Sequence, residues 1–125
     1  MRKTGLAALL ASVLILAAAS MGYAQSAEDF VKGQSRGIRY ANRFNDDGIP
    51  TVNVLYLRGD TLTDVTEEGR SKGFSRTISI VSKRSEGNKL ILDDGNVEYI
   101  VDAYRLVERP KNGAWGAGIV YMREE

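Results

Sequence analysis

From residue 38 onward, apolar and polar positions alternate with a period of two. Turn chemistry interrupts them every few residues, the pattern of successive short β-strands. Ile38, Tyr40 and Phe44 share one face of the first strand, and Arg39 and Arg43 share the other. Asn45-Asp46-Asp47-Gly48-Ile49-Pro50 then turns the chain, because Asn and Asp bond their own backbone and Gly48 accepts positive φ. In Thr51 to Arg58, Val52, Val54 and Tyr56 lie opposite Leu55 and Leu57. Apolar residues on both faces predict a central or doubly covered strand. Gly59-Asp60 predicts a tight turn into Thr61 to Thr66, and Glu67 to Gly73 is a charged loop with two glycines.

Phe74 to Lys83 has the cleanest alternation, with Phe74, Ile78 and Ile80 on one side and Ser75, Thr77 and Ser79 on the other. It reads as one half-buried antiparallel strand. Ser85-Glu86-Gly87-Asn88 leads into Lys89 to Leu92, and Asp93-Asp94-Gly95-Asn96 turns again, with an Asp-Gly step that signals a hairpin. Val97 to Glu108 is the longest candidate strand. Val97, Tyr99, Val101 and Ala103 share a face, and burial then switches toward Tyr104 and Leu106. A bulge or sharp bend near Ala103 accounts for the switch. In the last strand Trp115, Ile119 and Tyr121 are placed opposite Gly116 and Gly118, glycines that imply strong curvature or close approach of another backbone.

Six to eight short strands joined by sequential turns predict an all-β fold, a small antiparallel meander barrel or strongly curved sheet, with an OB-type barrel as alternative. Before it, Gln25 to Lys32 predicts a short helix across or plugging one end, with Ser26 as N-cap, Asp29 as capping-box partner and Gly33 as stop.

The first 24 residues have a different pattern. Arg2 and Lys3 precede an apolar run from Leu6 to Ala19, and small residues close it at Gly22-Tyr23-Ala24. This is the layout of a secretory signal peptide, bacterial in style, with cleavage after Ala24. An uncleaved anchor is the alternative, although the apolar core falls short of the roughly 20 residues that span a bilayer. The expected organisation is a signal peptide over 1–24 and one β domain over 25–125, periplasmic or secreted. No integral membrane insertion is expected after cleavage.

Composition narrows the chemistry. Removing Arg2 and Lys3 leaves 15 basic against 16 acidic residues, a balance that gives no argument for nucleic acid. The chain has no cysteine and no histidine. The usual general base at neutral pH, the usual zinc and copper ligands, and Ser-His-Asp or Cys-His catalysts are therefore excluded. The expectation is a non-enzymatic protein without cofactor or metal.

Four constellations remain. The acidic groups Asp46-Asp47, Asp60 with Asp64, and Asp93-Asp94 with Glu98 offer oxygens for calcium but lack EF-hand spacing, so turn chemistry is the preferred reading. Arg36, Arg39 and Arg43 form a row able to hold a carboxylate, phosphate or sulfated sugar, or alternatively a charged edge that blocks strand pairing. Tyr40, Tyr56, Tyr99, Tyr104, Trp115 and Tyr121 suit a cavity for an amphipathic ligand, or ordinary barrel packing. A carboxylate pair for glycoside cleavage is not visibly placed on facing strands.

Lys89-Leu90-Ile91-Leu92-Asp93-Asp94-Gly95, followed by an alternating strand, resembles small exported bacterial barrels of the lipocalin-like kind. The Gly-x-Trp that opens lipocalins is absent and turn chemistry alone generates the stretch, so no family is assigned. The resulting expectation is an exported binding protein. A small ligand is held by candidate residues Tyr40, Tyr56, Tyr99 and Trp115, with Arg39 and Arg43. The alternative is an interaction or envelope-structural module that docks a partner protein through an exposed strand edge.

Overall fold

The computed structural model describes residues 27–34 and 36–124. The proposed signal segment and Ser26 lie outside them. A helix, α1 (Ala27–Lys32), precedes nine strands. These are β1 (Ile38–Asp46), β2 (Ile49–Arg58), β3 (Thr61–Glu68), β4 (Ser75–Ile78), β5 (Ser82–Glu86), β6 (Lys89–Asp93), β7 (Val97–Val101), β8 (Arg105–Pro110) and β9 (Ile119–Glu124). They form one antiparallel sheet in the order β4-β3-β2-β1-β9-β8-β7-β6-β5. No helix among the described residues is long and apolar enough to cross a membrane.

This order forces curvature. Its two outermost strands, β4 and β5, are consecutive in the chain and separated by three residues. From Ile78 to Ser82 the backbone reaches at most about 14 Å. A flat sheet of nine strands holds its edges nearly 40 Å apart, at about 4.8 Å per strand. The sheet therefore curls into a half-barrel, in keeping with the strongly curved sheet that the sequential turns predict. Following the antiparallel pairings through β1 and β9 shows that β4 and β5 run in the same direction.

That geometry corrects the single strand expected over Phe74 to Lys83. Its first half pairs with β3 and its second with β6, on opposite sides. The ladder breaks at residues 79–81 because the partner changes there. A second correction falls on Val97 to Glu108, which is a complete hairpin. Asp102 Oδ1 accepts the backbone N–H groups of Tyr104 (2.8 Å) and Arg105 (2.9 Å), closing a turn between β7 and β8. These two splits bring the count to nine strands, above the six to eight expected. A third correction concerns the last strand, which begins at Ile119 rather than Trp115. Gly113, Gly116 and Gly118 all have positive φ, which a strand ladder does not accommodate. Close approach is nevertheless real at Gly118, where a Cβ would meet the Glu108 carbonyl oxygen at 2.5 Å.

The expected turns are present. Asp47 and Gly48 have φ of 49° and 88° between paired Asp46 and Ile49, the two-residue geometry that matches strand twist. Asp93 Oδ1 accepts Gly95 N–H, and Asp94 Oδ1 accepts those of Asn96 and Val97. These acids perform turn chemistry.

The main core lies on the concave face. Ile38, Tyr40, Leu55, Leu57 and Leu62 from one half of the sheet pack with Leu90, Leu92, Tyr99, Val101, Leu106 and Tyr121 from the other. Helix α1 joins this core through Ala27 and Val31, and Ala27 N–H donates to Asn88 C=O in the β5–β6 turn. The helix thus closes one end of the half-barrel. As its two apolar faces predict, β2 is buried on both sides, with Val52 and Val54 joining Ala41 in a smaller outer cluster.

Candidate functional site

Strand parity identifies the residues at the end opposite α1. In β8, Leu106 and Glu108 point inward; in β3, Leu62 and Asp64 do. Arg76 is registered against Asp64 and shares its face. Glu108 therefore enters the concavity from one half of the sheet, and Asp64 with Arg76 from the other. Tyr121 donates its hydroxyl to Glu108 Oε1 at 2.9 Å, and Arg76 Nε lies 3.5 Å from Asp64 Oδ2. Tyr99, fully buried, is registered against Glu108.

These groups influence one another electrostatically. Loss of water raises the Glu108 carboxyl above its ordinary range; the Tyr121 hydrogen bond pulls it back, and Asp64 raises it further. Desolvation also raises Asp64, against the pull of Arg76. Half the Arg76 side chain remains exposed, so this end is open to solvent. Phe44 and Phe74, each almost half exposed, stand at the same end. The arrangement is an apolar floor of buried side chains, Tyr99 and Tyr121 among them, beneath a mouth with two carboxyls and one guanidinium. It offers both donors and acceptors to a bound polar group.

The six candidates from the sequence do not line one cavity: Tyr40 and Tyr99 lie in the core, whereas Tyr56, Arg39 and Arg43 are brought together on the outer face through Glu67 and Glu124. Tyr40 and Tyr99 are inside and wholly buried, and Tyr40 O–H donates to Asp102 C=O at 2.9 Å. Tyr56 points outward because it alternates with Leu55 and Leu57, and its hydroxyl donates to Glu67 Oε2 at 2.6 Å. Trp115, half exposed, sits in the β8–β9 loop. The expected lining of one cavity by these four is thus corrected by strand parity and by the glycine-rich loop.

Arg39 and Arg43 share the outer face, as expected, but each has carboxylate partners. Arg39 binds Glu67 and Glu124, and Arg43 makes two hydrogen bonds to Glu124, at 2.9 and 2.8 Å. These arginines hold the Glu124 carboxyl at about 2, down from 4.5. A depressed carboxyl contributes stability that is fully present above its unfolded value and disappears as pH falls through its folded value. Glu124→Gln is therefore expected to lower Tm at pH 6 and to lose that difference between about pH 4.5 and 2. Thermal melts across that range check this. A difference between variant and parent that does not change with pH would contradict it.

Sequence reading missed Asp64, Arg76 and Glu108 as a group. A signal was present, since Arg76 interrupts the face shared by Phe74 and Ile78, and Glu108 follows Leu106 on an inward face. Recognising it requires knowing that β3 and β8 face each other. Compared with known proteins, the chain matches no family model, no curated sequence and no solved structure.

Proposed function

We propose that this is an exported, non-enzymatic binding protein of the bacterial envelope that holds a small amphipathic ligand at the open mouth of the half-barrel. The observation that carries this reading is the inward cluster of Asp64, Arg76, Glu108 and Tyr121 at the end opposite α1. Polar groups at the mouth of an apolar concavity fix the orientation of a ligand whose apolar body rests on the walls. The leader-like segment supports export, and the missing histidine and cysteine argue against the common catalytic mechanisms.

Native mass spectrometry of protein purified from cells that produce it tests the reading. A small mass retained in the native ion and lost on denaturation is expected, and Glu108→Gln should reduce its occupancy. Bare protein from several growth conditions would overturn the ligand reading. A second reading, docking of an envelope protein by strand addition, is favoured by β5. All five of its residues are exposed, and it forms an end of the sheet order. A co-purifying protein that protects β5 amides from exchange would select it.

A further inference from the structure

The ten arginines of the described region divide unevenly. Seven lie within 4 Å of a carboxylate: Arg39, Arg43, Arg70, Arg76, Arg84, Arg105 and Arg109. Arg123 stands over the Phe30 ring, 5.3 Å from its centre. Among the described residues only Arg36 and Arg58 have neither kind of partner, and these two line the same cleft.

The backbone builds that proximity. Gly37 has φ of 89°, and a Cβ there would come within 3.1 Å of the Leu57 carbonyl oxygen and 3.2 Å of Arg58 Cβ. The segment entering β1 is therefore pressed against the end of β2, which sets Arg36 beside Arg58. The cleft measures about 500 Å³, and Thr61, Thr63 and Tyr56 add to its lining, with no acidic residue. The volume is in the range of small-molecule sites. Two arginines lining one space that holds no acidic residue raise its positive potential, and the threonine hydroxyls extend the set of donors. Tyr56 O–H is committed to Glu67, so Tyr56 offers the cleft its ring.

We propose that this cleft, outside the half-barrel and separate from its mouth, binds a tetrahedral oxyanion, the phosphate or sulfate ester of a small molecule. Arg36 and Arg58 grip the ester oxygens, Thr61 and Thr63 donate hydrogen bonds, and the apolar remainder of the molecule lies against Tyr56. Guanidinium forks match such oxygens in geometry as well as charge.

The test is an NMR titration of the purified protein with phenyl phosphate, phenyl sulfate and acetate, each at constant ionic strength. Amide shifts confined to residues 36–37 and 56–63 are expected for one or both esters, and their relative affinities identify the ester. Arg36→Ala combined with Arg58→Ala should weaken binding by at least about tenfold, a change well outside measurement error. Arg70→Ala, which removes a cation paired with Asp46, should leave it unchanged. Shifts spread over the basic surface, acetate binding as tightly as the esters, or full affinity in the double variant would each overturn the proposal. Folding is read from the same spectra. Should the double variant unfold, Arg36→Gln alone serves, and undiminished affinity there overturns the proposal equally.

Discussion

Gly118→Ala is expected to destabilise the domain by about 2–5 kcal/mol, combining about 1–2 for a side chain at positive φ with about 1–3 for overpacking. The new Cβ would lie 2.5 Å from the Glu108 carbonyl oxygen, 3.1 Å from Val107 Cγ1 and 3.3 Å from Arg109 Cα. Two of those three atoms are backbone of β8, so relief requires the β8–β9 pair to separate. For a domain of about one hundred residues the loss corresponds to a Tm lower by about 8 °C or more. Gly116→Ala is the matched control. It has φ of 57° and nothing within 4 Å of its added Cβ, so only the conformational part applies. Equal melting temperatures for the two variants would show that the close approach at Gly118 has no energetic weight. Because β8 carries Glu108, a protein with Gly118→Ala that still folds should also lose occupancy by the ligand proposed for the mouth.

The second large effect is expected at Leu106, which is wholly buried in the concave core. Leu106→Ala removes packed methyl groups and leaves a cavity, at a cost of about 2–5 kcal/mol. Tyr104, two residues earlier, is 69% exposed, and Tyr104→Ala should stay within about 0.5 kcal/mol of the parent. The contrast bears on the fold. A continuous strand from Val97 to Glu108 places Tyr104 and Leu106 on one face with similar burial. The hairpin closed by Asp102 puts Tyr104 in the turn and Leu106 inside. Urea denaturation of both variants separates the alternatives, and similar losses would contradict the hairpin.

The sequence alone determined that the domain is all-β, because alternation with a period of two is written in consecutive residues. It also determined the turns at Asp47-Gly48, Gly59-Asp60 and Asp93 to Asn96, because local hydrogen bonds and positive φ need no distant partner. The burial of β2 on both faces around Val52 to Leu55 was legible for the same reason, since apolar residues stand at odd and even positions, whereas Tyr56 on the outer face is exposed.

Only the tertiary structure decided where strands end when the cause is a partner. Nothing local breaks Phe74 to Lys83; β3 and β6 claim its halves from opposite sides. The candidate sites were illegible for the same reason. Asp64 and Arg76 act on Glu108 electrostatically across the concavity because the sheet curls, and Arg36 lines one cleft with Arg58 because β1 pairs with β2. Arg39 and Arg43 looked available until Glu67 and Glu124 reached them from β3 and β9. Local pattern encodes the conformation of each segment. Electrostatic partners and inward neighbours depend on which strands the curled sheet sets side by side, and a single sequence does not state those pairings.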